Sequence, residues 1–324
     1  MSAKLTAIEF HYPSRKLSND DLQLEFANYD FAKFEEKVGI KNRYLAAEDE
    51  TALDLAVAAA EKLFTYFDKS TIDYVLYCTQ SPEYILPTTA CVFQHKVGLK
   101  QNIGALDFNL GCSGYTYGLS MAKGLINSKQ AKNVLLVTAE TYSKFLHPLD
   151  RSNRALFGDA ATVSVISESE EDAIGNFLFG TDGAGYDQLI IKNGGAKFRY
   201  SPDAELIAYG TENSYTANHL YMDGPAIFNF TSSQIPNFTT QVVEANHLDK
   251  TEIHQFIFHQ ANAFMLNFMR KKLKVDNDNF FIDLADGGNT VSNTIPIALK
   301  KYSQLANKPQ EQNIILMGFG VGLS

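Results

Sequence analysis

The alternation of short apolar runs with segments of helical periodicity is the strongest constraint on how this sequence can fold. Strands buried on both faces are predicted at residues 73–78 (DYVLYC), 103–108 and 134–138. Apolar residues recur at helical spacing over residues 51–67, 89–98 and 113–127. Because a parallel connection needs a long crossover, this order of strand, helix and strand predicts parallel pairing and an α/β fold.

The second half of the sequence repeats the pattern. Helices are predicted at residues 225–246, 261–273 and 290–305, and strands at residues 255–258 and 314–317. A glycine-rich, acidic stretch at 171–189 marks the predicted transition between the halves. We therefore expect two structurally related halves, residues 1–170 and 171–324, although the sequence contains no strong internal repeat.

Composition and charge exclude several classes of protein. With 45% apolar and 20% charged residues in 324, the chain has the composition of a globular enzyme. A net charge of −9 disfavours a nucleic-acid binder, and no apolar run reaches the length of a membrane span, so we expect a cytoplasmic protein. The cysteines Cys78, Cys91 and Cys112 are too few and too far apart for a disulfide framework or a CxxC metal site.

Cys112 is the best candidate nucleophile. It lies in NLGCSGYTYGL, after a predicted strand and at the start of a predicted helix. Unpaired N–H groups and the positive end of the helix dipole favour a thiolate there and predict a lowered thiol pKa. Gly111 and Gly114 permit a tight turn and leave room for a substrate. Cys78 and Cys91 lie in apolar segments and are predicted to be small buried side chains.

Polar residues in the second half occupy comparable positions. His259 follows the predicted strand QFIF, and ligand sites in open α/β sheets gather at the carboxyl ends of strands. Asn289, in DGGNTVSNT, is on its own typical of a helix N-cap. The basic run at 270–274 ends a predicted helix, where it is either a solvated helix end favoured by the dipole or a docking site for an acidic carrier protein.

Five segments carry a resemblance to a known family. They are NLGCSGYTYGL around Cys112, HPLDRSNRALFGDAATVSVI at 147–166, HQAN at 259–262, GGNTVSNTIPIAL at 287–299 and GFGVGL at 318–323. In content, order and spacing they resemble the ketoacyl-acyl-carrier-protein synthase III family of the thiolase superfamily. VGIKNRYLA at 38–46 is similar to the early segment of the same family, so the resemblance covers nearly the whole chain.

The resemblance implies a fold and a set of catalytic residues. The fold is the thiolase fold, five layers αβαβα built from two related halves, in a homodimer whose partner subunit helps to shape an acyl tunnel. Cys112 would accept an acyl group from a thioester, and His259 and Asn289 would bind the thioester carbonyl of a malonyl-type extender as it loses carbon dioxide. Backbone N–H groups of Cys112 and Val321 would stabilise the other oxyanion.

The resemblance also implies the substrates and partners. The activity would be that of a condensing acyltransferase in fatty-acid or related polyketide and lipid biosynthesis, with no metal and no bound cofactor. Acyl-carrier-protein thioesters, and acyl-coenzyme A thioesters as a second source, would be the substrates. Arg151, Asn262, Lys271 and Lys272 would bind the donor or its carrier.

Some residues depart from the family pattern. The chain has no Trp, and Lys33 takes the place of the Trp that, with the Arg matched by Arg151, sandwiches the coenzyme A adenine. Arg151 therefore has no evident stacking partner, and we expect weaker use of acetyl-coenzyme A than of a longer or unusual acyl donor delivered on a carrier. Phe264 replaces a basic residue implicated in carrier docking, and the sequence ends at GVGLS, short of the usual final strand.

Other functions fit the sequence less well. A hydroxymethylglutaryl-coenzyme A synthase needs a carboxylate acid/base where this chain has Gln80, and an amide cannot exchange protons in that role. A non-decarboxylating acyltransferase of the same fold stays open. A catalytically silent partner subunit has no chemical reason to keep Cys112, His259 and Asn289, and a cysteine protease has only a generic Cys and His in its favour.

Overall fold

The computed structural model describes residues 2–306 and 311–324. The α-helices of this part of the chain are α1 Asn19–Glu25, α2 Phe31–Val38, α3 Ala52–Phe64, α4 Thr89–Lys96, α5 Gly114–Asn127, α6 Arg151–Leu156, α7 Gly224–Ala245, α8 Ala263–Leu273 and α9 Thr294–Ser303. Its strands are β1 Ser2–His11, β2 Arg15–Ser18, β3 Asn42–Leu45, β4 Tyr74–Cys78, β5 Gly104–Phe108, β6 Asn133–Glu140, β7 Ala160–Ser169, β8 Leu189–Ile191, β9 Ile207–Tyr209, β10 Asn213–Tyr215, β11 Leu220–Met222, β12 Ile253–Phe258, β13 Phe280–Phe281, β14 Asp286–Gly287 and β15 Asn313–Met317.

The first half is built on a five-stranded sheet in the order β1-β7-β6-β4-β5. β4 pairs in parallel with both β5 and β6, as the order of strands and helices predicts, whereas β7 is antiparallel to β6 and to β1. The prediction that all three apolar runs are buried on both faces is wrong for β5. This strand lies at the edge of the sheet, and each of its five residues is only half-buried.

Helices cover both faces of this sheet. α3 and α4 pack on the outer face, where Thr51 and Asp54 form a capping box that starts α3. α5 packs on the inner face through Tyr115, Leu119 and Ala122, which recur at helical spacing and are buried. α5 and α9 together separate this sheet from the β13-β12-β15 sheet of the second half.

α7 and α8 form the outer layer of the second half. They bury Ile235, Val243, Leu266 and Met269 against β12 and β15. The five layers are therefore the α3 and α4 layer, the first sheet, the α5 and α9 layer, the second sheet, and the α7 and α8 layer. This order confirms the expected αβαβα architecture. No helix in the described ranges combines the length and apolarity needed to cross a membrane.

The connection between the layers differs from the sequence prediction in one place. One helix was predicted over residues 290–305, but a short 3-10 helix, Val291–Asn293, precedes α9. The break follows from Val291, whose φ of 58° lies in the left-handed region that β-branched residues rarely adopt. The division into halves at 170/171 falls just after β7 and stays a prediction.

Candidate active site

Cys112 lies between the end of β5 and the start of α5, as the sequence predicts, and is 5% exposed. A tight turn precedes the helix, with the Gly114 N–H donating to the Gly111 carbonyl at 2.8 Å. The loop at 318–322 presses against the sulfur so closely that a Cβ on Gly320 would lie 2.7 Å from the Cys112 Sγ atom. Only glycine fits at this contact.

The protonation state of Cys112 differs from the sequence prediction. Burial raises the pKa of its thiol to about 12, and a hydrogen bond from the Val321 N–H to the sulfur opposes this shift only in part. The direction of this shift is opposite to the lowered pKa that the helix terminus predicts. The reason is that the cost of removing a thiolate from water exceeds what one N–H group and a helix end supply.

The other two cysteines divide between burial and exposure. Cys78, at the end of β4, is buried as predicted, and its thiol donates to the Leu110 carbonyl at 3.0 Å. Cys91, on α4, is exposed, so the prediction that it is a buried side chain is wrong. Its position on the solvent side of a short helix could not be read from the weak apolar pattern of that segment.

His259 follows β12 directly, and its N–H donates to the Met317 carbonyl of β15 at 2.8 Å. The Nδ1 atom of its ring lies 2.7 Å from Thr294 Oγ1, which is itself 3.1 Å from the Val291 carbonyl oxygen. Burial lowers the pKa of His259 to about 3, so the imidazole is neutral at ordinary pH. The Thr294 hydroxyl has one proton, which it donates either to Nδ1 or to the Val291 carbonyl. In the first case the ring proton is on Nε2, and in the second it is on Nδ1.

Asn289 is fixed by its backbone and by its side chain. Its N–H donates to the Leu156 carbonyl at 2.9 Å, and its carbonyl accepts from the Gly158 N–H at 3.1 Å. It is not the N-cap of α9, which is Asn293. Its Oδ1 atom accepts from the Val291 N–H at 2.9 Å, which leaves the Nδ2 group as the end of the side chain available to a ligand.

Val291 connects the three residues that the sequence singles out. Its N–H binds Asn289, its carbonyl faces the Thr294 and His259 pair, and its side chain is buried in the same apolar cluster as Cys112. Its strained φ is the kind of backbone outlier that collects at functional sites. Sequence reasoning missed Val291, because nothing in GGNTVSN indicates a left-handed valine.

An apolar cluster surrounds the sulfur. Its buried members, called here the Cys112 cluster, are Cys112, Tyr142, Phe157, Leu189, Leu220 and Val291. Gln80 lies beside it, since a Cβ on Gly111 would come within 2.6 Å of Gln80 Oε1. The buried Glu140 carboxyl group accepts from the Gln80 N–H at 3.1 Å and from the Ser81 hydroxyl at 3.0 Å, so it holds the end of β4 against the site.

Arg151 has a stacking partner that the sequence did not reveal. Its guanidinium lies 3.9 Å from the ring centroid of Tyr29, and it pairs with Glu212 at 3.3 Å and donates to the Thr211 carbonyl at 3.1 Å. The expectation that Arg151 lacks a partner is therefore wrong. Lys33, in the position expected for an aromatic residue, points to solvent beside Asp30.

The remaining donor and carrier residues lie along α8. Asn262 caps this helix by accepting from the Met265 N–H at 2.8 Å, which gives it a structural role. Lys271 and Lys272 are exposed in the last turn of α8. On the same helix the half-exposed Phe264 lies beneath the Lys37 ammonium group, 4.9 Å from the ring centroid. Binding of a donor or carrier by these residues stays a prediction.

Comparison with known proteins gives one consistent family. Residues 106–183 match the family model described as 3-oxoacyl-[acyl-carrier-protein (ACP)] synthase III, and residues 243–324 match the model of its C-terminal part. The beta-ketoacyl-[acyl-carrier-protein] synthase III of Clostridium perfringens is 32% identical over 326 positions, covering 100% of this chain and 97% of the relative.

Solved structures agree with the sequence matches. A crystal structure of a 3-oxoacyl-(acyl-carrier-protein) synthase III superposes with a TM-score of 0.97 at 41% identity, covering 100% of this chain and 97% of the other. The crystal structure of the 3-oxoacyl-(acyl-carrier protein) synthase of Burkholderia xenovorans superposes with a TM-score of 0.87 at 32% identity. The match covers 100% of this chain and 92% of the other. The fold is therefore the thiolase fold, and the chain belongs to the 3-oxoacyl-[acyl-carrier-protein] synthase III family.

Proposed function

We propose that the protein is a decarboxylating acyltransferase that condenses an acyl group held on Cys112 with a malonyl-type thioester, in the making of fatty acids or related lipids. The observation that carries the proposal is the meeting of Cys112, His259 and Asn289 at Val291. A buried thiol, a neutral imidazole and a free amide end around one apolar pocket are the groups that such a reaction needs.

In the first half-reaction Cys112 takes the acyl group. The sulfur attacks the donor carbonyl carbon, the bond from that carbon to the donor sulfur breaks, and the thiol proton passes to the leaving thiolate. Because the Cys112 pKa is about 12, the proton must be removed as the attack occurs, and the neutral ring of His259 carries it between the two sulfurs. This role needs an unprotonated Nε2 atom, which Thr294 permits when it accepts from Nδ1.

The developing negative charge on the acyl oxygen needs N–H donors. The Val321 N–H already donates to the Cys112 sulfur, so it lies at the reacting atom. Together with the Cys112 N–H, at the start of α5, it forms the oxyanion site.

In the second half-reaction the extender loses carbon dioxide. The electron pair of the breaking carbon–carboxylate bond moves onto the thioester oxygen, where the Asn289 Nδ2 group and the His259 Nε2–H donate. This step uses the second tautomer of His259, in which the Thr294 hydroxyl donates to Nδ1. The resulting carbanion attacks the acyl carbonyl carbon, the bond to Cys112 breaks, and a 3-oxoacyl thioester leaves. The freed Cys112 sulfur takes up one proton from water, which restores the thiol. Neutral donors suit this step because a strong acid would protonate the carbanion before it could attack.

The acyl donor is best delivered on a carrier protein. Arg151 is only 6% exposed, with Tyr29 on its guanidinium and Glu212 and Thr211 at its edge, so no open face is left for a nucleotide base. Lys271 and Lys272 are the exposed cations that would meet an acidic carrier. No bound cofactor takes part.

The functional unit is a homodimer. β5 lies at the open edge of the first sheet with all its residues half-buried, and such an edge is a natural site for pairing with a second chain. The nearby loop exposes Tyr84, Ile85 and Leu86, of which Leu86 is 80% exposed. An apolar patch of this kind marks an interface, and the partner subunit would complete the acyl tunnel.

A reconstituted reaction tests the proposal. Purified protein is incubated with an acetyl thioester and malonyl-acyl carrier protein, and the products are identified by mass spectrometry. We expect a 3-oxobutyryl-carrier product and one equivalent of carbon dioxide. Transfer of the acetyl group to another acceptor without loss of carbon dioxide would contradict the proposal and favour the non-decarboxylating acyltransferase.

A further inference from the structure

Tyr142 is the polar member of the otherwise apolar wall of the Cys112 cluster. It opens the short 3-10 helix Tyr142–Phe145 that follows β6, and it is 4% exposed. Its ring centroid lies 5.4 Å from that of Phe157 and 6.2 Å from that of Phe145. A full aromatic ring therefore fills space inside the cluster that also contains the reactive sulfur.

The hydroxyl group of Tyr142 fixes this ring in place. It donates to Gln80 Oε1, and Gln80 in turn donates through Nε2 to Asn109 Oδ1 at 3.0 Å. The Gln80 backbone is held by the Glu140 carboxyl group. A buried hydroxyl costs free energy when it loses its partner, so the ring does not swing aside as freely as a Leu or Phe would.

Two other segments of the chain lie against the sulfur. Gly320 and Val321 press on one side, and Val291 with its partners Asn289 and His259 lies on another. The buried side chains of the Cys112 cluster give an acyl chain on the sulfur an apolar environment within this subunit. Tyr142 is one of these side chains, so its ring takes up space next to the acyl group.

We propose that Tyr142, anchored by Gln80, limits the acyl group on Cys112 to a short chain of about two to four carbons. The inference rests on the proposed function and names its substrate class. It replaces the sequence-based expectation of a longer donor, which followed from Lys33 and Arg151 and took no account of the space beside the sulfur. In a packed apolar pocket each methylene that does not fit changes a rate on the order of tenfold or more.

Acyl-N-acetylcysteamine thioesters test the inference, because these small donors do not depend on carrier docking. Intact-mass measurements give the rate of Cys112 acylation by the acetyl, butyryl, hexanoyl and octanoyl thioesters. For the wild-type protein we expect acetyl to load at least about 100-fold faster than hexanoyl. Tyr142→Leu should lower this ratio by about tenfold or more. Tyr142→Phe keeps the ring volume but loses the hydrogen bond to Gln80, so it should lower the ratio by less than Tyr142→Leu does.

Tyr77→Leu is the matched control. Tyr77 is also fully buried, but it packs against Phe93 on the outer face of the first sheet, away from the sulfur. The Tyr77→Leu variant should be less stable than the wild-type protein but should show the same chain-length preference. Circular dichroism and thermal melts check that each variant is folded.

The outcomes separate the inference from the proposed function. Wild-type protein that loads octanoyl on Cys112 as fast as acetyl would overturn the inference and leave the proposed function intact, and this measurement needs no variant. An unchanged ratio in folded Tyr142→Leu would also overturn it. Absence of acylation at Cys112 by every thioester would overturn the proposed function and the inference with it.

Discussion

The Val291 N–H donates to the Asn289 Oδ1 atom at 2.9 Å within the buried site. This bond decides which end of the Asn289 amide faces a ligand, because Oδ1 is turned to the backbone and Nδ2 is not. The left-handed φ of Val291 turns the carbonyl that follows this N–H toward Thr294. The two ends of the Val291 backbone thus bind Asn289 and Thr294.

Replacement of Asn289 tests this orientation. Asn289→Asp keeps an acceptor for the Val291 N–H but removes the Nδ2 donor, and Asn289→Ala removes both. Loss of one such donor typically costs about 100- to 1000-fold in rate, and we expect that loss in malonyl decarboxylation. Acyl loading of Cys112 should fall far less, since its oxyanion donors are backbone groups.

Separate assays of loading and of carbon dioxide release check the Asn289 prediction. The exposed Asn277→Ala serves as the control and should match the wild-type protein in both assays. Variants of Asn289 that lose loading but retain decarboxylation would show that the amide faces the acyl donor instead.

The pH dependence of thiol alkylation tests the protonation state of Cys112. With a pKa raised to about 12 by burial, the thiolate fraction at neutral pH is very small and grows about tenfold with each pH unit. Alkylation of Cys112 by iodoacetamide, followed by peptide mapping, should therefore rise steadily from about pH 7 to 9. A plateau below pH 8 would mean that the helix terminus lowers the pKa after all.

Glu140 gives a prediction about stability. Burial raises its pKa from 4.5 to about 8, so the native state holds a proton that the unfolded chain releases first as the pH rises. The contribution of Glu140 to the free energy of unfolding therefore decreases between these pH values, by at most about 1.4 kcal/mol per pH unit. Glu140→Gln has the shape of the protonated carboxyl and does not titrate.

Urea denaturation of both proteins between about pH 5 and 8 provides the measurement. The stability of Glu140→Gln relative to the wild-type protein should improve as the pH rises. Parallel pH profiles for the two proteins would show that Glu140 does not retain its proton in the folded state.

The sequence alone predicted much of the fold. Local periodicity predicted β4, β6 and the buried face of α5 that contains Tyr115 and Leu119. The prediction works because each of these elements buries its own apolar residues. From its sequence, β5 was predicted to be buried like β4 and β6. Its place at the edge depends on the order of strands in the sheet, which the sequence of one strand does not encode.

The site was harder to predict in its details. Cys112, His259 and Asn289 were identified from motifs, but the sign of the Cys112 pKa shift depends on burial by residues far along the chain, such as Gly320. The Tyr29 and Arg151 stack was missed for the same reason, since neither local sequence refers to the other.

The closed environment of Arg151 predicts how the nucleotide part of coenzyme A is recognised. Stacking of a base on an aromatic plate is worth about 1 to 3 kcal/mol, or roughly tenfold to 100-fold in binding. Because Tyr29 and Glu212 already occupy Arg151, acetyl-coenzyme A and acetyl-pantetheine should acylate Cys112 with kcat/KM values within about threefold. A preference of more than tenfold for acetyl-coenzyme A would reveal a nucleotide site.

The central claim is that one covalent acyl group on Cys112 is the intermediate of condensation. Protein acylated with a short thioester and freed of donor is divided in two, one part for peptide mapping and one for a chase with malonyl-acyl carrier protein. We expect the acyl group on Cys112 alone, and its complete transfer into a 3-oxoacyl product during the chase. An acyl group found on Cys78 or Cys91, or one that stays on Cys112 while product forms, would contradict it.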